Sequence, residues 1–293
     1  MSEIWDVIRE PWTYEFMRRG LYAAVIVSVV AGVVGCLVVL RGMAFIGDAL
    51  PHASFGGVAV AFALGVNLHL GGVIAVILSA LLIGFLGSRR LVRYDTAIGL
   101  TFAGAFALGI FIVSRQEGYV VDLFGFVFGN VLGVTSTDIW ITAAVGIVVV
   151  GTVIFFYKEL LFTAYDPTMA AASGVPVAAM EYGLLILIGL AVAIALKVMG
   201  IVLVLAMLVA PAASAQLLTR RLPAMMIVAV VIGVFSSIVG LYIAWYFDAS
   251  ASASIVLSAT AAFIIIAVLA PQKGILGQWR TNVQSERELA SGP

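Results

Sequence analysis

The chain has 293 residues, 63% of them hydrophobic and 10% charged, with a mean hydropathy of +1.20. Soluble domains run at about 45–50% apolar and about 25% charged, so a water-soluble globule is excluded. Fifteen basic residues balance fifteen acidic ones, which excludes a polybasic nucleic-acid binder. The one cysteine, Cys36, excludes an internal disulfide and a thiolate metal cluster.

In chain order, residues 1–18 mix Glu3, Asp6, Arg9, Glu10 and Glu15 with Pro11. A cleavable signal peptide starts basic and continues into a short apolar core, so these residues read instead as an N-terminal interfacial segment. A helix crosses the hydrocarbon layer with about 20 mainly apolar residues. Such stretches lie at 21–40, 44–65, 70–87, 97–114, 139–156, 180–197, 200–218, 224–246 and 254–270. None has the period-two alternation of a lipid-facing strand, which excludes a β-barrel. The expected fold is an all-α polytopic membrane protein with eight to nine transmembrane helices over 19–271. A flexible cytoplasmic tail is expected at 272–293. The count is nine if 44–65 is a full span and eight if it is broken.

That second stretch opens with Ile46-Gly-Asp-Ala-Leu-Pro-His-Ala53. Asp48 and His52 are four residues apart, so a helix puts them on one face with β-carbons about 5–6 Å apart. A charge at the bilayer centre costs roughly 2.5–3.5 kcal/mol on insertion scales, which marks an ionisable group there as a functional candidate. A carboxylate oxygen and a neutral imidazole nitrogen on that face can reach one divalent cation. Pro51 weakens the local backbone ladder, and Gly47, Gly56 and Gly57 leave room for another helix. Two plainer readings of the residues stay open: the two side chains pair with each other, or they sit at headgroup level as solvated caps. Two ligands also fall short of the four to six or so that a tight site takes. A twofold dimer with this segment on its axis would supply two carboxylates and two imidazoles. The other histidine, His69, reads as a solvated residue of the outer turn 66–70.

Two connections are more than loops. Residues 118–137 are apolar, with Gly125, Gly129 and Gly133 at four-residue spacing, a pattern that lets backbones approach closely in lipid; an interfacial or partly re-entrant helix is expected. In 157–179, Asp166 suits an N-cap with Pro167 at the first helical position. Thr168, Met169, Ala170 and Ala171 continue the turn, and Gly174 ends it before Pro176. The result is a helix of about two turns outside the bilayer, either a capped connector or a docking element.

Orientation follows from basic residues in short loops. Arg41, Arg89, Arg90, Arg93, Lys158, Arg220, Arg221, Lys273, Arg280 and Arg287 fall on one side, the cytoplasm. The other side holds Arg115 and Lys197 against Glu117, Asp122, Asp138 and Asp248. Nine spans put the N-terminus outside, whereas Arg18 and Arg19 favour the inside. Asp95 is expected to cap a helix starting near Thr96. Glu181 suits a helix start at the cytoplasmic edge, and Lys197 can snorkel outward. No G-x-x-x-x-G-K-[ST], H-E-x-x-H, C-x-x-C or G-x-S-x-G occurs, so the chain has no phosphate loop with which to hydrolyse ATP itself.

The run Leu40-Arg-Gly-Met-Ala-Phe-Ile-Gly-Asp-Ala-Leu-Pro-His-Ala53 resembles the signature of the membrane permeases of manganese/zinc ABC importers. The similarity continues through 94–99, 124–133, 162–174, 200–215 and 254–257, nearly the whole chain. The resemblance implies a type II ABC importer-like permease, similar in fold to the cobalamin and siderophore importers, in the bacterial plasma membrane. It also implies a homodimer that works with cytoplasmic ATP-binding subunits and an extracytoplasmic metal-binding protein. Asp48 and His52 match the family's metal-coordinating pair. Asp166, Pro167, Thr168, Met169, Ala170, Ala171 and Gly174 match the coupling helix that docks on the ATPase. The implied function is passage of Mn2+ or Zn2+ to the cytoplasm by alternating access. No cofactor is held permanently, and the partner uses the ATP. The alternative is a cation-coupled secondary metal transporter without an ATPase, which would use intramembrane carboxylates; few acids are available for that. An intramembrane enzyme using Asp48 and His52 as acid and base is a third class.

Overall fold

The computed structural model describes residues 9–88, 92–115 and 131–270. Its named helices are α1 (Glu15–Leu40), α2 (Ile46–Ala63), α3 (Leu68–Ser88), α4 (Tyr94–Val113), α5 (Ser136–Phe155), α6 (Tyr157–Tyr165), α7 (Pro167–Ala172), α8 (Val177–Leu218), α9 (Leu222–Tyr246) and α10 (Ala251–Leu269). A single 3-10 turn, Val131–Gly133, precedes α5. No strand occurs among the described residues. The glycine-spaced residues 118–130, the tail 272–293 and residues 1–8 lie outside them.

Seven of these helices (α1, α3, α4, α5, α8, α9 and α10) are long and apolar enough to cross a membrane. At 42 residues α8 is twice the needed length, and it breaks at Gly200, whose φ of 74° and ψ of 173° are non-helical. That backbone region is essentially reserved for glycine. The chain reverses there. Before the break, Lys197 pairs with Asp138 at the start of α5, at 2.5 Å; after it, Leu208 lies against Gly35 near the end of α1. Among the described residues the long apolar limbs therefore number eight, and α2 is a shorter helix of 18 residues, made more polar by Asp48, Pro51 and His52.

Helices α1 and α9 run antiparallel. Trp12 Nε1 donates to Tyr242 Oη at 2.5 Å, and the Ser28 and Ser237 hydroxyls meet at 3.0 Å. Further along, Gly32 packs on Val230. Arg41, just past α1, donates to Thr163 of α6 at 2.8 Å. Arg41, Arg93, Lys158, Arg220 and Arg221 thus share one end of the bundle, which the distribution of basic loop residues makes cytoplasmic. The N-terminal end of α1 is then outside, against the preference of Arg18 and Arg19; Arg19 is neutralised locally by an ion pair with Glu15. The Tyr14 ring meets that of Trp245 there, centroids 4.9 Å apart and tilted by 41°, an aromatic anchor of the kind that sits at membrane interfaces.

The buried core is aliphatic, centred on Leu37, Leu184, Ile188, Leu203 and Met207. Ile147, Phe155, Phe235 and Leu257 face outward, as lipid contact requires. One boundary differs from expectation: α4 starts at Tyr94 with Arg93 at the N-cap position, so Asp95 lies inside the first turn. A carboxylate there still suits the positive end of the helix dipole.

Candidate metal site and cytoplasmic helix

Helix α2 lies wedged between α3 and α4, and glycine makes that possible. A β-carbon on Gly56 would stand 2.4 Å from the Ala105 carbonyl oxygen of α4, and one on Gly57 would stand 2.2 Å from the Gly71 carbonyl oxygen of α3. Both obstacles are backbone and cannot swing away. Gly56→Ala is therefore expected to push α2 off α4 and destabilise the fold by roughly 1–3 kcal/mol, the usual cost of overpacking. A thermal unfolding midpoint in detergent equal to wild type would contradict this packing.

Within α2, Asp48 and His52 come together as the four-residue spacing predicts. His52 Nδ1 lies 3.4 Å from Asp48 Oδ1 and 2.9 Å from the Asp48 main-chain oxygen. A carbonyl oxygen only accepts, so in this contact Nδ1 carries the hydrogen and donates. The lone pair is then on Nε2, the atom a cation would meet. Holding one ring nitrogen by a backbone carbonyl is the usual way a ligating imidazole is oriented. Pro51 adds a second local effect: it has no N–H, so the Gly47 carbonyl lacks its helical donor.

The imidazole is framed by α4. Its ring centroid lies 5.2 Å from Phe102 and 5.7 Å from Phe106, at interplanar angles of 78° and 77°. The two phenyl rings stack on each other one helical turn apart, at 6.0 Å. This edge-on frame limits ring rotation while leaving the Asp48 and His52 side chains 27% and 26% exposed. Sequence reasoning missed both phenylalanines, although their i, i+4 spacing was visible. Among the described residues no three His, Cys, Asp or Glu side chains gather, so one copy offers two protein ligands here.

The remaining candidates are elsewhere. His69 is exposed in the first turn of α3, where Asn67 Oδ1 accepts from its N–H at 2.9 Å and from that of Leu70 at 3.2 Å. It is a helix-start residue rather than a loop residue. Asp138 is committed to Lys197 and to a capping box with Thr135, so Lys197 is paired and not simply snorkelling. Asp248 takes a φ of 47° just past α9. Glu117 and Asp122 fall outside the described residues.

On the cytoplasmic end, α7 has the predicted caps. Asp166 Oδ1 accepts from the Met169 N–H at 2.8 Å, and Pro167 occupies the first turn. At the other end Gly174 has a φ of 84°. The Val175 N–H donates to Ala170 O at 3.0 Å and that of Gly174 to Ala171 O at 3.1 Å, the paired bonds of a Schellman stop. Ala170 is buried and anchors the helix, while Thr168, Met169 and Ala171 are exposed. Six residues do not make a stable helix in water unaided; the caps and the Ala170 anchor hold this one, with its outer face free.

The ABC 3 transport family matches residues 13–270. The manganese transport system membrane protein MntC of Halalkalibacterium halodurans is 42% identical over 292 residues, 99% of this chain and 100% of that protein. Among solved structures, PsaBC from Streptococcus pneumoniae in complex with Fab is similar with a TM-score of 0.80 and 37% identity, over 92% of this chain and 97% of that one. A metal-chelate type ABC transporter in an inward-facing conformation shares the fold, with a TM-score of 0.70 and 15% identity over 85% of each chain. The family match runs from before α1 to the end of α10, so the chain belongs to the ABC 3 transport family, as a multi-pass, non-catalytic permease subunit of a bacterial plasma-membrane ABC transporter.

Proposed function

We propose that the chain is the permease of an ATP-driven manganese importer, with Zn2+ as the competing cargo, and that Asp48 and His52 are its transient cation ligands. The observation that carries this reading is the Asp48–His52 pair on α2, where the Asp48 main-chain oxygen holds Nδ1 at 2.9 Å and leaves Nε2 as the ring's acceptor. A carboxylate and an imidazole suit Mn2+ or Zn2+, and no thiolate of a soft-metal site is at hand. The names of the similar proteins favour manganese.

A second copy completes the site. In one copy the acid and the imidazole are each about one quarter exposed, and an ionisable group facing lipid is costly. Covering that face with its symmetry mate removes the cost and brings four ligands together. An extracytoplasmic binding protein delivers the ion, and paired cytoplasmic ATPase subunits dock on α7 through its free Thr168–Met169–Ala171 face. ATP-driven closure then rocks the two halves about the site, which binds weakly enough to release its cargo inward.

Vesicles carrying permease, ATPase and binding protein test the reading. Radiolabelled Mn2+ should accumulate only with ATP, and Zn2+ should compete. Accumulation driven by a proton gradient without the ATPase would move the chain to the cation-coupled class.

A further inference from the structure

Arg41 lies in the turn between α1 and α2, ahead of Asp48 in the chain. Its Nη2 donates to Thr163 Oγ1 at 2.8 Å. Thr163 is 4% exposed and sits in α6, just ahead of the Asp166 cap of α7. One charge-assisted hydrogen bond thus ties the approach to α2 to the approach to α7.

The guanidinium is not fully used. Arg41 Nε is buried with no partner, an arrangement that buried donors rarely keep. Glu181, at the cytoplasmic start of α8, accepts from Tyr94 Oη at 3.2 Å. Tyr94 opens α4, the helix that carries Phe102 and Phe106. The Glu181 charge acts on Arg41, opposing the downward pull of burial on its pKa, yet the two form no ion pair here. An unpaired donor and an acid within electrostatic reach are two halves of an unmade bond, and a side chain with two discrete partners is what carries coupling between sites.

We infer that Arg41 is the positioning residue that transmits motion of α7 to α2, holding Thr163 in the conformation seen here and exchanging it for Glu181 when the cytoplasmic face rearranges. The inference rests on the reading of α7 as the ATPase-docking helix. It assigns Arg41 no contact with the cargo.

The test uses the complete transporter in liposomes, with ATP hydrolysis and Mn2+ accumulation measured together. Arg41→Ala is expected to lower the ions moved per ATP by at least about fivefold, the lower range of measured coupling between sites. Basal ATPase activity and equilibrium Mn2+ binding should remain at wild type. Arg41→Lys, which keeps the charge but loses the planar fork, should recover part of the ratio. Spin labels at exposed Ser173, beside α7, and exposed Leu64, beyond α2, supply a readout that a merely structural role would not move. In wild type ATP shifts both labels; in Arg41→Ala only the label at 173 should shift. An unchanged transport ratio, or both labels still shifting together, overturns the inference. If Arg41→Ala does not assemble, the near-isosteric Thr163→Val and Glu181→Gln decide: lowered ratios support the exchange, and wild-type ratios in both overturn it. Normal Arg41→Ala coupling beside uncoupled Asp166 and Pro167 variants would remove the Arg41 link alone. Intact coupling in the Asp166 and Pro167 variants would remove the reading of α7 and this inference with it.

Discussion

His52→Ala and Asp48→Asn are each expected to cut Mn2+ uptake by about two orders of magnitude, since losing even a supporting partner of a metal ligand costs about 10–100-fold. The two variants fail for different reasons. His52→Ala removes the nitrogen whose lone pair the Asp48 carbonyl directs outward, a contact of 2.9 Å to the other ring nitrogen. Asp48→Asn keeps that carbonyl and the shape of the side chain but deletes the charge that compensates a divalent cation. Neither should impair assembly with the ATPase, because both remove an ionisable group rather than add one. The measurement is radiolabelled uptake beside co-purification of the subunits. Wild-type uptake in either variant, with the complex intact, would remove these two residues from the path.

Replacing Asp166 and Pro167 together, by Ala and Gly, is expected to uncouple the transporter. The Asp166 cap bond of 2.8 Å to Met169 is lost, a change that costs about 1 kcal/mol in ordinary helices. Gly at the first helical position adds backbone entropy, and six residues have little cooperative helix energy to spare. The exposed Thr168, Met169 and Ala171 then no longer form one face. ATP hydrolysis by the partner should continue while uptake per ATP falls by about fivefold or more. Both are read in one preparation of liposomes. An unchanged ratio would reduce α7 to a connector between α6 and α8.

What the residue string reveals depends on how local the physics is. The traverses are legible because crossing lipid demands a long apolar run, and α7 is legible because capping acts over a few residues. Asp48 and His52 are legible as a pair because helical spacing places them together. The choice of His52 Nδ1 between carbonyl and carboxylate is not, since both acceptors belong to the same residue. Phe102 and Phe106 reach the site from α4, and Thr163 reaches Arg41 from α6. Such contacts depend on which helices pack side by side, and small residues such as Gly56 allow a close approach without naming the partner. The start of α4 at Tyr94 rather than near Thr96 was hidden for a related reason: the Tyr94–Glu181 bond of 3.2 Å ties that first turn to α8.

The one-residue reversal at Gly200 also bears on how the chain enters the membrane. The limbs 177–199 and 201–218 are joined with no loop between them. They are expected to partition together as a helical hairpin, carrying Lys197 across with the apolar residues around it. Insertion of this region is then expected to be a single event.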